Sequence, residues 1–124
     1  MSVGNAMLLC SLAELTDPGA REFTLGEGDW PLRGFVVRYQ GEVHAYLNSC
    51  PHAGLPLNFK PDVFFAPHVE LLQCVAHGAL FEPETGECVA GPCFGQSLQM
   101  LDIQVHEGRV YLRSHPDILE SYWA

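Results

Sequence analysis

The chain has 124 residues, the usual span of one domain, and at 48% hydrophobic and 17% charged it has the composition of a globular protein with its own core. Fifteen acidic residues against six basic ones give a formal net charge of −9, which repels nucleic-acid phosphates and anionic membrane faces and argues against both as partners. Apolar runs such as Ala6 to Cys10 are too short to span a bilayer, and the N-terminus lacks the layout of a secretion signal, so a cytoplasmic location is expected.

Short apolar or alternating runs separated by Gly, Pro and Asp recur along the chain, the pattern of an all-β domain, with no internal repeat. Met7–Leu12 and Arg21–Leu25 are predicted as short strands joined by a turn at Asp17-Pro18-Gly19. Leu32–Tyr39 and Glu42–Leu47 are predicted to pair as a hairpin across Gln40-Gly41, with Val43, Ala45 and Leu47 alternating with His44 and Tyr46. From Asn48 to Gly95 the chain is rich in Cys, His, Pro and Gly, with strand-like fragments only at Glu70–Gln73 and Ala79–Phe81; these read as loops organised by something other than a hydrophobic core. A second hairpin joins Met100–His106 to Arg109–Leu112 around Glu107-Gly108, and both hairpins read as half-buried antiparallel strands. A turn of helix is expected to begin at Pro116, with Tyr122 and Trp123 packed on the body.

Five cysteines is an odd number at spacings that suggest no disulfide framework, so metal ligation is the leading use for some of them. Two mixed ligand pairs stand in the loop region: Cys50-Pro51-His52, followed by Ala53-Gly54, and Cys74-Val75-Ala76-His77, followed by Gly78. Two Cys and two His suit either a structural zinc ion or an iron–sulfur cluster with two cysteines on one iron and two histidines on the other. Zinc modules usually pair like with like, as C-x-x-C and H-x-x-x-H, whereas each box here mixes the two types. Glycines after the ligands allow close approach of backbone amides to a cluster's sulfurs. Cys10 and Cys88 read as small buried hydrophobes. Cys93, just after Pro92, is placed near the ligand loops and is a candidate to influence their stability or redox behaviour. His44, His68, His106 and His115 have no ligand partner at motif spacing.

The two boxes, Cys50-Pro51-His52-Ala53-Gly54 and Cys74-Val75-Ala76-His77-Gly78-Ala79-Leu80-Phe81, resemble those of the Rieske family, and Gly91-Pro92 resembles the proline loop that covers the cluster there. The resemblance implies one [2Fe–2S] cluster bound by Cys50, His52, Cys74 and His77. It also implies an all-β, Rieske-like antiparallel β-sandwich over residues 1–124, with a small loop-rich cluster-binding subdomain at about 48–95. The segment between His52 and Cys74, with Lys60-Pro61-Asp62 and Phe64-Phe65, is longer than in small Rieske ferredoxins and is expected to be a surface loop whose aromatic residues pack on the body.

High-potential Rieske proteins carry a disulfide where this chain has Leu55 and Ala76, and hydroxyl donors to the sulfurs where it has Ala79 and Phe81. The expected potential therefore lies near the low end of the Rieske range, about −150 mV. At this length there is no room for the catalytic iron domain of a large oxygenase, and Gly26-Glu27-Gly28 leads to Pro31 rather than into a dinucleotide fingerprint. The resemblance thus points to a non-enzymatic one-electron carrier: a monomer passing electrons from a flavin-dependent reductase to the terminal oxygenase of an aromatic-ring oxygenase system. Its partners would be transient. The alternatives are the Rieske-like small subunit of a larger oxidoreductase, such as nitrite reductase, or a zinc or redox-sensing module. Asp62, Glu82, Glu84 and Glu87, the acids nearest the boxes in sequence, are the first candidates for charge-steered docking.

Overall fold

A computed structural model of the protein describes residues 7–26, 32–51, 56–58, 60–76 and 78–113; the turn expected at Pro116 and the placement of Tyr122 and Trp123 fall outside them. The described residues form three antiparallel sheets, and none of their helices is long and apolar enough to cross a membrane. One sheet has the order β1 (Met7–Ser11), β10 (Arg109–Leu112), β9 (Ile103–His106). The largest has the order β2 (Gly19–Leu25), β3 (Leu32–Tyr39), β4 (Glu42–Leu47), β8 (Met100–Leu101). The third, β5 (Leu72–Gln73), β6 (Leu80–Phe81) and β7 (Cys88–Ala90), lies in the stretch predicted as loops.

Both predicted hairpins form with the expected turns. Gln40 and Gly41 have φ of 50° and 81°, and Glu107 and Gly108 have 50° and 74°, the paired positive values that a two-residue hairpin matched to strand twist requires. The first turn is held from outside as well: the Asp17 carboxylate accepts hydrogen bonds from the Gln40 and Gly41 amides, each at 2.8 Å. This fixes the register in which Phe35 faces Tyr46 and Val36 faces Ala45.

The expectation of half-buried strands is corrected for β3 and β4, which are covered on both faces. Val36, Ala45 and Leu47 join Cys10, Leu101, Val110 and Leu112 in a core against the β1–β10–β9 sheet. Phe35, Val37 and Tyr46 point the other way, into a second core with Leu57, Phe64, Leu72, Phe81 and Leu98. A hydrophobic core therefore does organise the 48–95 region, contrary to the sequence reading. That core draws one large side chain from each of several short fragments, none of which shows periodicity alone.

The long segment after the first box belongs to this second core. Phe64 stacks on Phe35 with ring centroids 4.1 Å apart, and Phe65 lies 6.3 Å from the Tyr39 ring, so the expected packing of its aromatics on the body is found. Its backbone is tied down by polar contacts: the Asp62 carboxylate accepts from the Glu22 amide at 2.8 Å, and the Gln73 amide donates to the Phe64 carbonyl at 2.8 Å. Phe64 is 2% exposed, so Phe64→Ala is expected to cost about 3–5 kcal/mol of stability in denaturant unfolding, as for a truncated core aromatic. A loss below about 1 kcal/mol would mean the segment merely lies on the surface.

Candidate metal centre

Each cysteine of the two boxes is delivered by a differently built loop. Cys50 follows the end of β4 by three residues, and the intervening turn is organised by Asn48, a buried polar side chain. The Asn48 amide donates to the Arg33 carbonyl at 3.0 Å, its Oδ1 accepts from the Leu57 amide at 2.8 Å, and its Nδ2 donates to Asn58 Oδ1 at 3.0 Å. The chain thus leaves and re-enters the first box clamped by one side chain. The sequence reading missed Asn48; its signal is an amide residue at a strand end beside a candidate ligand.

Cys74 opens the loop of the β5–β6 hairpin. Leu72 pairs with Phe81 and Gln73 with Leu80, and the Cys74 amide donates to the Ala79 carbonyl at 2.9 Å. Inside this loop the Gly78 amide donates to the Cys74 carbonyl at 2.7 Å, with Gly78 at φ +73°, a left-handed conformation that suits glycine. The two loops meet directly, since the Val75 amide donates to the Leu57 carbonyl at 2.9 Å.

The Gly91-Pro92 loop folds against the second box. A Cβ on Gly91, at φ +101°, would stand 2.8 Å from the Ala79 Cα, so only glycine allows this approach. The same loop buries Cys93, and Cys50, Cys74, Cys88 and Cys93 all enter one core cluster. Cys93 Sγ lies 3.0 Å from Cys88 Sγ, and the Cys88 thiol donates to the Ala90 carbonyl at 3.2 Å. Burial, then the bond to Cys88, pushes the Cys93 thiol above its ordinary pKa, and its neighbours include Cys50. Cys10 lies in the other core, where burial and the Glu14 charge raise its pKa to about 11; it is the inert small hydrophobe the sequence suggests.

Of the four predicted ligands the structure brings together Cys50 and Cys74, 1% and 0% exposed, while His52 and His77 lie outside the described residues. Among the described residues no group of three or more His, Cys, Asp or Glu is arranged to hold a metal ion.

Of the acidic candidates for docking, Glu82 and Glu84 lie within electrostatic reach of the Tyr39 hydroxyl. Glu70 accepts a hydrogen bond from the Tyr39 hydroxyl at 2.9 Å, and Glu82 and Glu84 also act on that hydroxyl, raising its pKa. Tyr39 pairs with Glu42 at the turn end of β3, whereas Cys50 lies beyond Leu47 at the other end of β4. Five residues of strand separate the two ends by about 16 Å. Asp62 is already engaged on Glu22. No Asp or Glu occurs in 43–61, 71–81 or 88–101, the stretches that hold the boxes and the proline loop. Among the described residues near the boxes, three apolar side chains are exposed: Val63 is 51%, Val75 38% and Phe94 73% exposed. Val63 and Val75 border a groove of about 230 Å³ that also includes Lys60, Phe65 and Pro67.

The family model described as Rieske [2Fe-2S] domain matches residues 5–116. Apoptosis-inducing factor 3 of Homo sapiens is 30% identical over 112 residues; the match covers 90% of this chain but 17% of that protein, so the chain spans about a sixth of this relative's length. The fold is similar to that of the ferredoxin of carbazole 1,9a-dioxygenase from Nocardioides aromaticivorans IC177, with a TM-score of 0.67 and 23% identity over 89% of this chain and 98% of that one. It is also similar to a chain of the complex of reduced oxygenase and oxidized ferredoxin in carbazole 1,9a-dioxygenase, with a TM-score of 0.64 and 20% identity over 87% of this chain and 92% of that one. With its family model matched over nearly the whole sequence, and buried cysteines of both ligand boxes gathered into one core, this chain belongs to the Rieske [2Fe-2S] domain family, whose cofactor is a [2Fe–2S] cluster.

Proposed function

We propose that the chain is a one-electron carrier whose cluster is held by Cys50, His52, Cys74 and His77, and that it passes electrons from a flavin-dependent reductase to a terminal oxygenase. The observation that carries the reading is that Cys50 and Cys74 are both buried in one core cluster, on two loops that are themselves hydrogen-bonded together. The donor set fits: two soft thiolates for one iron, with His52 and His77 as the imidazole pair for the other. When bound, such a cluster takes up and gives back a single electron. The protein's part is to hold the ligands and keep water from the sulfurs. Ala79 and Phe81, both fully buried, close that side without offering a hydroxyl donor, which supports a potential at the low end of the range.

The solved ferredoxins of similar fold are named as components of carbazole 1,9a-dioxygenase, one in complex with its oxygenase, and this supports an oxygenase as electron acceptor. In this reading the chain turns over no substrate, acts as a cytoplasmic monomer and meets its partners transiently, with no nucleic acid or membrane involved. A second reading, that the domain serves inside a larger oxidoreductase, is favoured by its match to a protein about five times its length. Size-exclusion chromatography of the native material separates the two.

Cys50→Ser and Cys74→Ser are expected to remove most of the cluster's visible absorbance, while Cys10→Ser, in the opposite core, retains it. Full iron and sulfide with an unchanged spectrum in Cys50→Ser would refute the ligand assignment. A purified protein that is colourless and holds zinc would refute the electron-carrier reading itself.

The lack of Asp and Glu in 43–61, 71–81 and 88–101 supports docking through apolar side chains. Val75→Asp and Phe94→Ala are expected to slow stopped-flow reduction by the cognate reductase about fivefold to tenfold, as a lost interface anchor does. Glu82→Lys and Glu84→Lys, at the Tyr39 end, should change it less than twofold at about 0.15 M salt, where charges act over about 8 Å. The reverse ranking would put the acidic end at the interface.

A further inference from the structure

We propose that the groove beside Cys74 seats one apolar side chain of the electron-transfer partner, and that a carboxylate next to that side chain in the partner meets Lys60. This rests on the electron-carrier reading and names the chemistry of the surface that the carrier recognises.

The groove is built largely by the long segment after the first box. Phe64, buried and stacked on Phe35, is its floor, and Val63, Phe65 and Pro67 line it from the same segment. Gln73 and Val75, the two residues that flank Cys74, line it from the second box. An occupant therefore lies against the chain on either side of a ligand position, which gives an electron a short path. The volume of about 230 Å³ falls below the roughly 300–1,000 Å³ of small-molecule sites. It suits a single anchoring side chain of the kind that fills a pocket at the centre of a protein interface. Val63 and Val75 remain exposed at its edge, and a protein surface covers them where a free small molecule in the groove does not.

Charge selects the occupant. Lys60 is the only lysine of the chain, and no other Lys or Arg occurs between Arg38 and Arg109. Its carbonyl accepts from the Val63 amide at 3.2 Å and from Asn58 Nδ2 at 2.9 Å, which fixes its backbone at the groove. The two acids tied to the same turn have other partners: the Asp62 carboxylate accepts from the Glu22 amide, and the Glu22 carboxylate from Asn58 Nδ2. Among the described residues no carboxylate forms an ion pair with Lys60. A lysine with an apolar stem and no counter-charge, beside an apolar groove, complements an apolar side chain with an adjacent Asp or Glu. On a protein of net charge −9 this single cation fixes the partner's register and does not draw it from a distance.

The test is stopped-flow reduction of the cluster-loaded protein by the cognate flavin reductase, with cluster content and unfolding midpoint measured for every variant. Lys60→Glu and Val63→Asp are expected to slow the second-order step about fivefold to tenfold, as a lost interface anchor does, with cluster content and midpoint unchanged. Lys60→Arg, which keeps the charge, should stay within twofold. Arg109→Glu changes the net charge by the same amount from the β1–β10–β9 sheet, and it too should stay within twofold. Carbodiimide coupling of the mixed proteins should join the Lys60 amine to a carboxylate of the reductase, located by peptide mass. That cross-link should vanish in Lys60→Arg even though the rate is retained. An unchanged rate in Lys60→Glu, equal slowing in Lys60→Glu and Arg109→Glu, or cross-linking that bypasses Lys60 would each overturn the proposal. Failure of the electron-carrier reading shows differently, as an unsubstituted protein that the reductase does not reduce.

Discussion

Everything in this fold hangs on one hairpin buried on both sides. β3 and β4 send Val36, Ala45 and Leu47 to one core and Phe35, Val37 and Tyr46 to the other, so a slip of one residue in either strand would exchange the two sets. The second core would then receive Val36 and Ala45 in place of two aromatic rings, and the ligand loops would lose their floor. This explains why the Gln40-Gly41 turn is fixed both by its own backbone and by the Asp17 carboxylate.

Tyr46 shows how the floor reaches the loops. Its ring tilts against Phe35 at 5.8 Å, and its hydroxyl, raised in pKa by burial and by Glu84, donates to the Pro83 carbonyl at 2.8 Å. A Cβ on Gly86 would stand 2.8 Å from that ring. The β6–β7 connection is thus seated on a single aromatic side chain of the central sheet. From there β6 and β7 run back toward Cys74 and the Gly91 turn. Support is passed from sheet to loop by packing and a buried hydrogen bond.

Strands with an alternating pattern and a two-residue glycine turn were legible in the sequence: β3, β4 and β10 have the predicted bounds, and β9 differs only where Asp102 breaks it from β8. β7 was not, because Cys88–Ala90 is three residues long and is recognisable only by its pairing with β6. Two-sided burial of β4 was hidden for a related reason. His44 and Tyr46 read as the polar face of an alternation, yet Tyr46 is fully buried because its hydroxyl has a partner 37 positions away. In the site, the box motifs named Cys50 and Cys74, whereas Asn48 and the Cys88–Cys93 contact needed the fold. Glu82 follows the second box closely in sequence, and its charge also reaches the Tyr39 hydroxyl that Glu70 accepts from.

That displacement of charge bears on encounters between two copies of the molecule. Each has a net charge of −9, so random approach is opposed at low ionic strength. The opposition is uneven, because the stretches around the boxes contribute no carboxylates while the Tyr39 end gathers several. Among the described residues, the ground around the exposed Val75 and Phe94 side chains therefore adds little to the repulsion between like molecules.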